Sequence, residues 1–282
     1  MHYEDFRPGA LHRLLRKSQT AFNSSYNTLP PFATIPGFHH TMLTYDYMHC
    51  MYLGVLPWLL GTILLELCSE NCFGKFRGKW LLRTNLGLRH AHLRFKSWAS
   101  GKGIDHTVPE WNLGRLSMAG GVHSWPELKT KAGNCRKVLA WMHDMLRTLP
   151  SNSIHAKLRL TCVAAWHGCD LIMVANTMWL SACDAALFFQ KLNTCALQAY
   201  LLLAREAYDS RLPRYQLKPK HHALDEIGWD VRRSRRNPAS NWCFKHEDAI
   251  GKLTKLATRT HPWTLAKIVL SRWKLRLALA SV

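Results

Sequence analysis

Nineteen consecutive residues between Asp46 and Glu66 carry no Asp, Glu, Lys or Arg. A stretch so poor in charge has few fates: it spans a bilayer or it is buried in a protein core. It approaches the lower limit for a helix crossing about 30 Å of hydrocarbon. His49, Gly54, Pro57 and Gly61 interrupt it, which favours a buried core element. The chain is long enough to build such a core, with 282 residues, 48% of them hydrophobic and 12 Trp. That composition excludes a disordered tail.

Charge sets the next constraint. Lys and Arg outnumber Asp and Glu by 38 to 18, a formal +20. A surplus of this size points to a polyanionic partner, nucleic acid before an anionic membrane surface. It argues against an acidic binding module. The nine cysteines are odd in number and no secretory leader is legible at Met1, which suits free thiols in a reducing compartment. Cys68 and Cys72 have no second pair at zinc-finger spacing.

Along the chain, residues 1–40 read as linker or extended chain, broken by Pro8, Pro30, Pro31 and Pro36, with one short helix from Leu11 to Leu15. Thr41 to Tyr45 suits a short strand, with Asp46 at its end or capping the next helix. The run to about Leu67 reads as a helix bent near Pro57. Residues 71–104 hold no acid and eight bases: Lys75, Arg77, Lys79, Arg83, Arg89, Arg94, Lys96 and Lys102. Trp80, Phe95 and Trp98 lie among them. Two readings stay open: a phosphate track with base-stacking rings, or a solvated helix face over core aromatics. Residues 105–125 read as loop. Apolar spacing predicts helices over 128–208 forming their own layer, with a capping box at Ser181 and Asp184. Arg232, Arg233, Arg235 and Arg236 form a basic cluster before a break at Asn237-Pro238. The remainder, from Trp242, reads as helix interrupted at His261-Pro262.

Three segments, in order, resemble a known arrangement. Asp46-Tyr47-Met48-His49 with Leu53-Gly54-Val55 resembles the D-x-M-H-x-x-x-L-G-V motif of CACTA (En/Spm-like) and related DDE transposases. Leu217-Lys218-Pro219-Lys220-His221-His222 resembles their K-P-K-H-H segment. Trp242 to Leu253 is similar to the segment carrying their last acidic residue. The resemblance implies an RNase H-like core in which carboxylates hold two Mg²⁺ or Mn²⁺ ions for phosphodiester cleavage and strand transfer. It places Asp46 and Glu247 as metal-binding catalytic carboxylates, with Asp248 as the alternative to Glu247. It gives His49 the role of orienting Asp46 or touching DNA, beside the plainer reading of a hydrogen-bonded core histidine. Helical spacing after Glu247 puts it on the core-facing side of Ile250, Leu253 and Leu256, beside the plainer reading of a surface Glu in the first helical turn, where the helix dipole favours it.

The fold expected from this is an α/β remnant dominated by helices: an incomplete RNase H-like core with a large helical insertion. The divisions are 1–40 linker, 41–70 core strand and helix, 71–216 helical insertion, 217–262 return to the core and 263–282 basic terminal helix. The first catalytic Asp of the family has no counterpart, so a truncated copy, inactive alone, is expected. A separate N-terminal portion or a homo-oligomer would have to complete it. DNA is the expected partner, the nucleus the expected location, and no membrane is implied. The DNA contacts expected are Lys75, Arg77, Lys79, Lys218, Lys220, His221, Arg232, Arg233, Arg235 and Arg236. A non-enzymatic nucleic-acid-binding protein is the alternative. A metal hydrolase built on His39-His40, His49 and His221-His222 ranks last, since adjacent histidines diverge and no H-E-x-x-H occurs.

Overall fold

The computed structural model describes residues 31–37, 44–150, 152–244, 250, 253–255, 257–258 and 260–280. Its centre is the charge-free segment. Helix α1 (Tyr47–Ser69) starts where the Asp46 carboxylate accepts a hydrogen bond from the Met48 amide at 2.9 Å. It is apolar all round, and Tyr47, Met48, Met51, Tyr52, Val55, Leu56, Leu59 and Leu60 are fully buried. Each such side chain contributes roughly 1.5–3 kcal/mol over an exposed one. Pro57 offers no amide hydrogen. The helix accommodates it with a π-helical turn over Met51–Val55, immediately ahead.

Helix α2 (Trp80–Gly101) and helix α3 (Ala132–Thr148) pack against α1. The loop between them crosses α1 closely: the Leu128 amide donates to the Pro57 carbonyl at 2.9 Å. Gly61 permits that crossing, because a Cβ there would stand 2.9 Å from the Leu128 nitrogen. Helix α4 (Ile154–Ala175) lies on α3. Helix α5 (Ala182–Phe189) runs through a second π-helical stretch, Gln190–Ala196, into helix α6 (Leu197–Asp209). Helix α7 (Pro219–Ser234) packs on α5, on the start of α1 and on both π-helical stretches. The body ends at Asn241. The C-terminal unit, Trp242–Val282, carries a 3₁₀ turn at Pro262–Thr264 and helix α8 (Leu265–Ala280), so the interruption expected at His261-Pro262 is present.

Charge buried in the body is paired at two places. Arg136 Nε meets Asp170 at 2.7 Å, and Tyr52 also donates to Asp170. Glu66 joins Arg159, His155 and the Tyr215 hydroxyl, at 3.3, 3.1 and 2.6 Å. All nine cysteines are free thiols, and burial pushes Cys135, Cys162 and Cys169 well above their usual range.

Several expectations need correction. The α/β class with an incomplete RNase H-like core does not hold. Helix makes up 68% of the structure, and the described residues contain no strand, only an isolated antiparallel bridge between Trp179 and Arg236. Of the strand read over Thr41 to Tyr45, residues 41–43 lie outside the described residues, while Thr44 and Tyr45 are coil. A few β-prone residues make a strand only when a neighbouring strand takes up their backbone groups, and none is described here. Asp46 caps α1 instead of ending a strand. The 128–208 region is largely helical as expected, and Ser181 Oγ accepts from the Asp184 amide at 3.0 Å. It does not form a separate layer, because α3 closes directly on α1. The long α1 and α4 are both apolar enough to cross a membrane by composition. In the fold, 83% of the most apolar 18-residue stretch of α1 and 50% of that of α4 are buried.

Candidate carboxylate cluster and basic surface

Two of the three motif segments meet in the fold. Lys220, in the first turn of α7, donates from Nζ to the Leu53 carbonyl at 3.2 Å. The π-helical turn of α1 leaves that carbonyl available. Gly54 makes the approach possible, since a Cβ there would fall 2.5 Å from Lys220 Cδ and 2.9 Å from the His49 carbonyl. Cys50, one turn earlier, is pushed up to about 11 by burial, partly offset by the Lys220 charge.

Asp46 and His49 form the i, i+3 pair expected from their spacing, with His49 Nδ1 on Asp46 Oδ2. Asp46 thus serves the Met48 amide through one oxygen and the imidazole through the other. This geometry suits His49 as a group that orients Asp46. Glu247 and its alternative Asp248 lie outside the described residues, as does the juxtaposition expected between Asp46 and Glu247. One described carboxylate does not hold two divalent ions, so no cleavage step follows through Mg²⁺ or Mn²⁺.

A second cluster was missed by sequence reasoning. His222, Asp225 and Glu226 lie on one face of α7, with one ligand atom from each all within 4.8 Å of one another. The i, i+3, i+4 spacing that begins in the K-P-K-H-H segment was the available signal. Asp225 is fully buried, and the Asn193 side-chain amide donates to its backbone carbonyl at 2.9 Å as well as to its carboxylate. Asn193 comes from the second π-helical stretch and reaches α7 only because Gly228 has no side chain: a Cβ there would stand 1.7 Å from Asn193 Oδ1. Glu226 faces the start of α1 closely enough to raise the Tyr45 phenol, after burial itself. A nitrogen and two carboxylates are donors that suit Mn²⁺ or Zn²⁺ better than Mg²⁺.

The ten expected DNA contacts divide sharply. His221 is not one of them. It is 2% exposed, caps α7 through Nδ1 with Lys218, and burial pushes it down to about 4, so it is a neutral core group. Lys218 lies over the Trp58 ring at 3.7 Å and Lys220 is held on Leu53, so both are half-buried internal anchors. Arg232 is exposed but rests on the Phe189 ring at 4.7 Å. Lys75, Arg77, Lys79, Arg233, Arg235 and Arg236 are exposed. Arg235 ends α7 in the left-handed region, at φ 58°. Arg83, Arg89, Arg94 and Lys96 on α2, and Lys102 just past its end, are exposed too, while the Phe95 ring turns inward and Trp98 is half-buried. Phe95 is fully buried against Trp111 and Trp141, and Trp98 donates to Asp144 at 3.0 Å. Phe95 is thus a core ring and Trp98 is half-buried and paired, so the two rings fit the core-aromatic part of the second reading, while the exposed bases around them leave a phosphate track open.

Comparison with protein-family models, with curated proteins and with solved structures finds no match to this chain.

Proposed function

We propose that this chain is a DNA-binding protein of transposon origin, a helical portion of a CACTA-like transposase that holds duplex DNA through its phosphates. The observation carrying the binding is where the charges go. Two acids are tied up in ion pairs inside the body, Asp170 with Arg136 and Glu66 with Arg159, and the exposed Glu70 also pairs with Arg159. The bases of 75–102 and 232–236 stay at the surface, within a chain of formal charge +20. Releasing counterions from phosphates is then the main driving force, and it needs no particular base sequence. The contact between Leu53-Gly54 and Lys220 supports the ancestry, because it joins two motif segments that lie far apart in the chain. The proposal does not extend to cleavage or strand transfer by a sheet-borne carboxylate set.

The test is a fluorescence-anisotropy titration of the full chain with a labelled duplex between 50 and 200 mM salt. Six or more phosphate contacts should cost on the order of 10³-fold in affinity across that range. Charge reversal at Lys75, Arg77, Lys79, Arg233 and Arg236 should flatten the slope by roughly 0.9 per lost contact, with helix content unchanged. A folded chain that ignores duplex at 50 mM salt would overturn the proposal.

A further inference from the structure

An open cleft of about 1230 Å³ lies between the C-terminal end of α6, the 211–217 connection and the loop carrying His123 and Trp125. It exceeds the roughly 300–1,000 Å³ of ordinary small-molecule sites and is open along its mouth. Apart from Trp125, Tyr208 and three arginines, its walls are mostly apolar or uncharged. We propose that this cleft binds a single-stranded segment of nucleic acid, with arginines on the phosphates and exposed rings under the bases. The proposal rests on the nucleic-acid reading above and adds a second, structurally separate site to it, since none of the expected duplex contacts lines the cleft.

Its charge selects an anion. Arg205, Arg211 and Arg214 line the cleft against one acid, Asp209. Arg205 and Arg211 are exposed and make no ion pair with any described residue. Arg214 is half-buried, and it donates to a neutral carbonyl, that of Pro213 at 2.9 Å. A guanidinium held partly out of water beside a neutral acceptor gains from a phosphate that arrives to pair with it.

The rings select an unpaired strand. Trp125 is 39% exposed and Tyr208 82% exposed, and neither ring is stacked on another described ring. Two large aromatics left in water on one cleft are surfaces on which bases stack. In a duplex the base faces are already stacked on each other, so only a single strand can offer them. The floor is preorganised. The buried Tyr215 donates its hydroxyl to Glu66 at 2.6 Å, and Tyr200 donates to the Gln216 carbonyl at 3.0 Å. The 211–217 connection is thereby pinned to α1 and α6, and its residues Arg211 and Tyr215 hold positive φ, 56° and 52°. A pinned connection loses little entropy when a strand settles on it.

The experiment uses the full chain with labelled oligo-dT and oligo-U, each of about twelve nucleotides, within the site sizes of single-strand binders, and the duplex above as control. Trp125→Ala and Tyr208→Ala should each weaken single-strand binding roughly fivefold or more, the value of one lost base stack. Duplex affinity should stay unchanged. Arg205→Gln with Arg211→Gln should weaken the same strand and flatten its salt slope. These side chains are at the surface, so melting curves should match the wild type. Equal losses on dT and U support the shared chemistry, and a stronger loss on one supports the proposal with that strand as the source. Retained single-strand binding in the ring variants would overturn the cleft while leaving the duplex reading standing. Binding to neither nucleic acid would overturn both. Displacement of the oligonucleotide by a poly-glutamate peptide as readily as by unlabelled dT would make the cleft a general anion site and would also refute the proposal.

Discussion

Raising the pH should strip stability from this fold through one histidine. His155 lies between two carboxylates, with Nε2 on Glu66 at 3.1 Å and Nδ1 on Glu206 at 2.9 Å. Hydrogen bonding to Glu66 is the largest influence. Burial works against it, and Glu206 adds to it. Together they push His155 up to about 9, from an ordinary 6.5. The folded protein thus binds this proton more tightly than the unfolded chain does. The stabilisation is complete below about pH 6.5 and is lost as the pH rises through about 9. At about 1.36 kcal/mol per tenfold change in proton affinity, the loss is at most about 3 kcal/mol, and near pH 7.5 about 2 kcal/mol remains. The side chain is 25% exposed, so solvent screening trims this figure but does not cancel it. The assay is urea denaturation at about pH 6, 7.5 and 9.5 for the wild type and His155→Gln, a range that brackets both proton affinities. The difference between the two curves isolates the imidazole from lysines and tyrosines that titrate in both. That difference should shrink steadily as the pH rises. A difference that stays constant across the range would refute the charged bridge.

His221 should act at the other end of the scale. Its value is depressed to about 4, so its contribution is intact above about pH 6.5 and is lost as the pH falls through about 4, by about 3 kcal/mol in total; denaturation of His221→Asn should show a weaker acid dependence than the wild type. Gly228→Ala should destabilise by about 1–3 kcal/mol in urea melts, because its Cβ would overlap Asn193 Oδ1 at 1.7 Å. Gly133→Ala, in α3 with nothing within 4 Å, should instead stabilise by about 0.5–1 kcal/mol in the same assay. Gly54→Ala should loosen the contact of α1 with α7, which hydrogen exchange at the Pro219–Ser234 helix would report as lost protection.

Features that depend on near neighbours were legible before any fold was known. Charge-free residues 47–65 had to be buried, and they form the centre of α1. The Ser181 cap, the helices after Leu128 and the basic excess could all be read, since capping, periodicity and charge are properties of a few adjacent residues. Thr41 to Tyr45 shows the limit of the same logic: a strand is stabilised by a distant partner, and local propensity does not supply one. Which polar groups remain available was settled by packing alone. His221, Lys218 and Lys220 look identical to surface bases when read along the chain. Contact with Tyr200, Trp58 and Leu53 takes them inside. Phe95 likewise turned to the core while the bases beside it stayed out. The Asn193–Asp225 bond and the cleft joining Trp125 to Arg205 and Arg211 bring together residues from separate parts of the chain. No short window of sequence encodes such meetings. They arise when helices with buried faces choose one mutual arrangement, and glycines such as those at 54, 61 and 228 help select it by allowing close approach.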